Sequence, residues 1–296
     1  MKRMLLIANL HSGKGIVKNN IIDVVDYFTK NDYLVTLYTT QKKKDATNIV
    51  RKNIKDFDLI VCCGGDGTLN EVVTGALDTE YDRKIGYIPA GTTNDFATSL
   101  NIPKDLMKAA KLIPAEEIHS IDIGTFNNKK FVYIASFGLF SESSYETPQE
   151  LKKVLGHLAY VLNSVKSLIN IVPYHLKIEY EDKVIEDDFI WGAISNSTSV
   201  GGVLKLDKKK VKMDDGKFEV ILLKSPKNPL ELQNVLSRLF NQEFDDEYAR
   251  LIYVDKIKIT SKTRVPWTLD GEYGGKHHDV DIEVNKHAID LIFRSK

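Results

Sequence analysis

The feature that most limits the fold is an alternation in the first 125 residues. Short, continuously apolar runs are followed by segments of helical period, and each run ends in a polar, glycine-containing loop. Residues 3–9 form the first run. It gives way to Asn9–Gly15, after which Ile16, Ile21, Val24, Val25 and Phe28 recur at helical spacing. Tyr33–Tyr38 is rich in β-branched and aromatic residues, 45–54 fits a helix, and Asp58–Cys63 is an apolar run closed by Gly64-Gly65. A helix is predicted from about Thr68 to Leu77, and Ile85–Ile88 gives a strand broken by Pro89 and Gly91. Short helices are expected from about Asp95 and over 105–112. Strands that are apolar on both faces need cover on both, so the N-terminal part reads as an α/β, doubly wound parallel-sheet domain. Such sheets bind ligands beyond the carboxyl ends of their strands, where the polar loops fall here.

The second half changes character. Gln149–Ile171 has apolar residues at three- and four-residue steps, an amphipathic helix that ends before Pro173. Period-two alternation follows: Leu176, Ile178 and Tyr180 on one face, and later Val280, Ile282 and Val284. Runs at 188–195, 217–224, 252–260 and 288–293 add strands, and 229–240 fits a helix, so a mainly antiparallel β-sandwich or barrel is predicted. The expected domains are 1–125 and 126–296, with the last strands free to return to the first.

Lys+Arg and Asp+Glu number 41 each, giving a formal net charge of zero, which argues against a nucleic-acid protein driven by bulk charge. Cys62 and Cys63 are adjacent on a strand, point to opposite faces and cannot readily bridge, so a reduced, cytoplasmic chain is expected. The apolar start stops at Asn9, too short for a signal-peptide core. No run approaches the roughly 18 apolar residues of a spanning helix, so any membrane contact would be peripheral.

Three loops carry chemistry. In Gly64-Gly65-Asp66-Gly67-Thr68-Leu69-Asn70-Glu71 the glycines let backbone N–H groups approach a phosphate, and the helix start favours an anion. Asp66 could hold a metal ion or its water; the alternative is a tight turn that uses Asp66-Gly67. Pro89-Ala90-Gly91-Thr92-Thr93-Asn94-Asp95 suits a polyphosphate with Mg²⁺, against an ordinary helix cap at Thr93 or Asn94. Asn9–Gly15, with Ser12, Gly13 and Lys14, fails as a Walker A loop because Ala8 and Gly15 stand at its required positions. His277-His278 reads as surface histidines rather than a metal site, since neighbours on a strand face opposite sides.

Together these loops resemble the catalytic domain shared by diacylglycerol kinases, sphingosine kinases and bacterial lipid kinases, and the likeness runs through the chain, nearest to soluble bacterial diacylglycerol kinase and YegS-like members. It implies an ATP- and Mg²⁺-dependent kinase acting on a lipid hydroxyl, diacylglycerol foremost, that visits the membrane surface transiently. Asn9, Ser12, Gly13, Lys14, Thr40, Gly64, Gly65, Asp66, Gly67, Thr68, Asn70, Glu71, Thr92, Asn94 and Asp95 would then cradle nucleotide and phosphates. Lys212-Met213-Asp214-Asp215-Gly216-Lys217 resembles the family's structural Mg²⁺ site, with the Asp215 side chain and the carbonyls of Lys212 and Lys217 as ligands. Leu269-Asp270-Gly271-Glu272 resembles its late acidic motif, which faces the nucleotide loops across an interdomain cleft. The resemblance makes Glu272 the general base assisted by Asp270, with Asp66 in the Mg²⁺–ATP network, and the sequence leaves open which of Asp270 and Glu272 takes the proton; Asp-Gly is also a hairpin-turn signal.

The segment Ser197–Leu204 departs from the bacterial pattern, which bears on the shape of the acceptor site. Lys205, Lys208, Lys209, Lys210 and Lys212 form either a solvated loop or a patch for an anionic leaflet, worth roughly 1 kcal/mol per basic residue. An NAD-kinase-like enzyme and a non-catalytic nucleotide or lipid sensor are the rival readings. Oligomeric state, a homodimer included, is not legible.

Overall fold

The computed structural model describes residues 1–79, 84–138, 172–200, 204–206, 211–245 and 247–294. The amphipathic segment Gln149–Ile171 and Lys208–Lys210 lie outside the described residues. The chain forms two compact units, Met1–Ile123 with Lys286–Lys296, and Gly124–Asn285.

The first unit is built on β1 (Lys2–Ala8), β2 (Tyr33–Thr39), β3 (Leu59–Gly64) and β4 (Lys84–Pro89), all parallel in the order β2-β1-β3-β4. Every residue of β3 is buried, as are Met4–Ala8 of β1, which accounts for their unbroken apolar character. Helix α1 (Ile16–Lys30) buries Val17, Ile21, Val24 and Phe28, one stripe at helical spacing. It is followed by α2 (Asp45–Asn53), α3 (Asp66–Leu77), α4 (Asp95–Ser99) and α5 (Leu106–Ala110); the Asp105 side chain caps α5 by accepting from Lys108 N at 2.8 Å. Strand β5 (Ile118–Phe126) begins in this unit. The end of the final strand also belongs here: Asp290–Ile292 pair in parallel with Lys84–Gly86.

The second unit takes β6 (Lys129–Phe131), β7 (Ile134–Gly138), β8 (Tyr174–Tyr180), β9 (Lys183–Ser195), β10 (Ser199–Val200), β11 (Leu204–Lys205), β12 (Phe218–Lys224), β13 (Ala249–Val254), β14 (Lys256–Leu269) and most of β15 (Glu272–Ile292), with helix α6 (Pro229–Asn241). Pairing here is antiparallel, and β7, β14, β8 and β9 close on one another into a small barrel. Phe126, Phe131, Phe137, Leu176, Ile178, Phe189, Phe218 and Trp267 fill its core, with the Trp267 ring 4.9 Å from that of Phe137 and 5.1 Å from that of Phe126. Strands β14 and β15 are longer than the period-two runs suggest. Their shared register shifts between Thr260 and Val265 and again between Trp267 and Thr268, which interrupts the alternation while the strands continue.

Candidate active site

In the first unit three loops leave the carboxyl ends of β1, β3 and β4 and meet. Asn9 N donates to Cys63 O (2.9 Å) and Ala90 N to Gly64 O (2.8 Å), so each loop starts in register with its neighbour. The side chain of Asn9 then reaches from the first loop to the second, its Nδ2 donating to Thr68 Oγ1 at 3.3 Å. The second and third loops approach closely at two glycines: a methyl group on Gly91 would stand 2.7 Å from Gly65 Cα. Gly13, at φ 57°, brings the first loop against the third, where a Cβ would lie 2.3 Å from Ala90 O.

Asp66 is the first residue of α3, and its half-buried carboxylate joins the other elements. Its Oδ1 accepts from Tyr87 Oη (3.3 Å) and its Oδ2 from Asp95 N (3.1 Å), at the start of α4. Asn94 holds a left-handed conformation (φ 53°) while its side chain accepts from Gly91 N (2.8 Å) and donates to Gly91 O (2.9 Å), fixing the loop that carries Thr92. The result is an α-helix N-terminus, small loops and two acidic residues, Asp66 and Asp95, on one end of a parallel sheet. Such a site can receive a phosphate through backbone N–H groups and supplies carboxylate oxygens suited to a hard cation.

The remaining expected nucleotide residues have varied settings. Ser12 N donates to Asn9 O (3.1 Å) and Thr40 N to Ala8 O (3.0 Å), which keeps both at the carboxyl end of β1. Gly67 and Asn70 lie in the first turns of α3. Glu71 is turned to α2 instead: its carboxylate accepts from Lys44 N (2.7 Å) and Ala46 N (3.1 Å) and so caps that helix. The side chain of Lys14 lies outside the described residues. Cys62 and Cys63 are buried beneath the second loop, where burial holds the Cys62 thiol well above its usual value and pushes that of Cys63 up to about 12.

In the second unit Asp270 and Gly271 form the two-residue turn between β14 and β15, both at positive φ (50° and 80°), closed by the Leu269–Glu272 pair. Glu272 is exposed at the start of β15. Asp270 is 6% exposed and its carboxylate faces inward. Oδ2 accepts from Val132 N at 2.7 Å, and Oδ1 accepts from Tyr133 N at 2.9 Å and Ile134 N at 3.1 Å. The segment it holds is anchored again from the other side, where Tyr133 O accepts from Asn196 N (3.0 Å) and Ser195 Oγ (3.1 Å).

The Lys212–Lys217 loop turns at Gly216 (φ 79°), and Asp215 Oδ1 accepts from Lys217 N at 3.0 Å. Asn196 Nδ2 reaches its Met213 carbonyl at 3.4 Å. Among the described residues no three His, Cys, Asp or Glu side chains gather as a metal site, so a cation on this loop would rest on one carboxylate, carbonyls and water. The donor chemistry fits Mg²⁺, which takes oxygen ligands and keeps several waters. Two residues beyond Lys217, Glu219 is 1% exposed and its Oε2 has no hydrogen-bond partner among the described residues. Its carboxyl is pushed up to about 8, chiefly by burial, with the Asp215 charge acting in the same direction.

The sequence reading missed Tyr87, Asp122 and Glu219. Asp122 is fully buried and its Oδ1 accepts from His287 N (2.7 Å). The signal for Asp122 and Glu219 was present, a lone acid between aliphatic or aromatic neighbours on a strand. Tyr87 gave none, being one more aromatic residue in an apolar run.

An α/β unit with phosphate-accepting loops, followed by an antiparallel β unit with a closed barrel, defines a two-part kinase fold. Residues 3–126 match the diacylglycerol kinase catalytic domain, and residues 137–293 match the YegS C-terminal NAD kinase beta sandwich-like domain. The chain is 34% identical over 277 residues to a diacylglycerol kinase of Bacillus subtilis (strain 168), covering 93% of this chain and 91% of that protein. It is 35% identical over 274 residues to one of Staphylococcus haemolyticus (strain JCSC1435), covering 92% and 82%. A crystal structure from Bacillus anthracis str. Sterne, described as a candidate diacylglycerol kinase, superposes with a TM-score of 0.82 at 27% identity, covering 99% of this chain and 95% of that one. The chain belongs to the diacylglycerol kinase family of lipid kinases.

Proposed function

We propose that the protein transfers the γ-phosphate of ATP to the hydroxyl of diacylglycerol, yielding phosphatidic acid. The observation that carries this reading is the meeting of three loops around Asp66, at the start of α3 and on the carboxyl ends of β1, β3 and β4. The names of the relatives supply the acceptor.

In this reading the backbone N–H groups from Gly65 to Thr68 bind phosphate oxygens, and Asp66 and Asp95 would hold Mg²⁺ with the nucleotide. When bound, that ion offsets negative charge on the phosphates. Asn9 fixes Thr68 beside them. Glu272, exposed and carried by a tight turn, takes the proton of the lipid hydroxyl onto its carboxylate, a role worth about 10²–10⁴ in rate. Asp215, with the carbonyls of Lys212 and Lys217, would hold a second Mg²⁺ that stabilises its loop. The acceptor resides in a bilayer, and no helix among the described residues is long and apolar enough to cross a membrane. Contact with the lipid surface is transient in this scheme.

The test is phosphorylation of a total lipid extract by the purified protein with γ-labelled ATP and Mg²⁺, followed by mass-spectrometric identification of the product. Labelled phosphatidic acid is expected. Label on NAD with none on lipid would overturn the reading, and ATP binding without label on either would favour a sensor.

A further inference from the structure

We propose that Asp270 is a positioning residue, which holds the turn that carries Glu272 by clamping the amides of Val132, Tyr133 and Ile134, and that it does not take the substrate proton. The inference rests on the kinase reading above and divides the work between two carboxylates separated by one glycine.

The two side chains occupy opposite environments. Glu272 is exposed, whereas Asp270 is 6% exposed and both its oxygens are engaged, Oδ1 by two N–H donors and Oδ2 by a third, all within 3.1 Å. Oδ1 already accepts two N–H donors, so a proton there would displace one that has been taken out of water, and a proton on Oδ2 would remove the charge that strengthens all three bonds. A general base needs a lone pair that can reach the substrate, and Glu272 alone of the pair is open to solvent.

The clamp also explains why an acid stands at this turn. Asp270 holds φ 50°, a conformation that glycine or asparagine adopts at least as readily in such a turn, so turn geometry by itself does not require a carboxylate. The three amides do. They belong to the two residues between β6 and β7 and to the first residue of β7, about 137 residues earlier in the chain, and Asp270 N donates back to Ile134 O at 2.8 Å. Side chain and backbone of one residue thus fasten the β14–β15 turn to a neighbouring strand. Glu272 follows two residues on, with only Gly271 between. Without the side-chain clamp the turn would be held only by backbone pairing, within the hairpin and to β7, and the base would sample a wider range of positions.

The experiment compares the wild type with Asp270→Asn and Glu272→Gln, using diacylglycerol in mixed micelles, saturating Mg²⁺–ATP and a pH series. Asparagine keeps one acceptor oxygen for the amides and cannot act as a carboxylate base. For Asp270→Asn we expect kcat to fall about tenfold with the acidic limb of the pH profile retained, and amide exchange at Val132–Ile134 to quicken. For Glu272→Gln we expect a loss of at least a hundredfold, with no acidic limb in the remaining rate and unchanged amide exchange. Loss of the acidic limb in Asp270→Asn would make Asp270 the base and overturn the proposal. Unchanged kcat together with unchanged exchange in that variant would equally overturn it.

Should Asp270→Asn fail to fold, carboxyl ¹³C titration of the wild type decides. A titration that tracks the acidic limb is expected at Glu272, and its appearance at Asp270 refutes the assignment. A wild type that phosphorylates no lipid would fault the kinase reading itself, while the exchange measurement would still report whether the clamp exists.

Discussion

The backbone N–H of Asp95 donates to Oδ2 of Asp66 over 3.1 Å, so the first residue of α4 is bonded to the first residue of α3. One carboxylate thereby sets the register between the two glycine-containing loops that follow β3 and β4. Replacing Asp66 with Asn puts an N–H₂ or a neutral oxygen at that place. A fall in kcat on the order of 10²-fold is expected, the scale of loss when reacting groups are displaced. The hydrogen bonds to a charged group that are weakened are worth about 1.5–3 kcal/mol, so a drop of several degrees in Tm should accompany it. Steady-state kinetics with labelled ATP and a thermal melt check both, and full activity would remove Asp66 from the site.

Gly91 is a position where the loops leave no room for a side chain. In Gly91→Ala the new methyl meets Gly65 Cα at 2.7 Å, backbone against backbone, where neither partner can rotate away. A loss of about 1–3 kcal/mol is expected, with weaker ATP binding by calorimetry. Gly15→Ala is the control: its Cβ meets nothing within 4 Å, and only its left-handed φ of 83° opposes the change, at a cost of about 1 kcal/mol. ATP affinity should survive in the control and fall in Gly91→Ala.

Cys62 and Cys63 should be inert in the folded protein. Both are buried, with thiols held well above the usual range, and the thiolate is the reactive form. Ellman's reagent at pH 8 should titrate neither until denaturant is added, after which both react. Fast reaction of either in native buffer would contradict their burial.

Mg²⁺ should raise Tm in the wild type and leave it unchanged in Asp215→Ala, because a ligand that binds only the folded state stabilises it by mass action. Identical Mg²⁺ titrations of Tm in the two proteins would take the cation away from the Lys212–Lys217 loop.

His175 lies in the β8–β9 hairpin with its ring nitrogens 2.8 Å from Asp188 Oδ1 and 3.1 Å from Glu186 Oε1, and these hydrogen bonds raise its pKa above 6.5. A raised folded-state pKa means the imidazolium contributes stability below pH 6.5, and that contribution is lost as pH climbs through the folded value. The Tm difference between wild type and His175→Gln should therefore be larger at pH 5.5 than at pH 9. Solvent keeps the effect small at this exposed site. A difference independent of pH would show that the ring does not gain its proton on folding.

Much of the first unit was legible because its order is local. Continuous burial keeps Met4–Ala8 of β1 and all of β3 apolar, and helices that cover a sheet show their stripe at fixed spacing, as Val17, Ile21, Val24 and Phe28 do in α1. The loops that follow β1, β3 and β4 were legible for the same reason, since glycine beside acidic and small hydroxyl residues already states what the backbone must permit. In the second unit the register shifts between β14 and β15 broke the alternation, so Lys256–Leu269 and Glu272–Ile292 read as scattered shorter runs.

The sequence by itself determined the succession of strands and helices as far as Ala110, the glycine-containing loops that follow β1, β3 and β4, and the presence of two carboxylates at the late acidic motif, whereas β5, β6 and β7 left no readable pattern. Tertiary structure alone decided how those carboxylates differ. Hydrogen bonds across sequence distances of 136–138 residues turn Asp270 inward onto three amides, while Glu272, two residues away, stays in solvent. In the same way Glu71, which belongs by sequence to the phosphate loop, is taken by the amides of Lys44 and Ala46. A residue's type fixes which bonds it can make, and only the folded chain fixes which partners lie within 3 Å to make them.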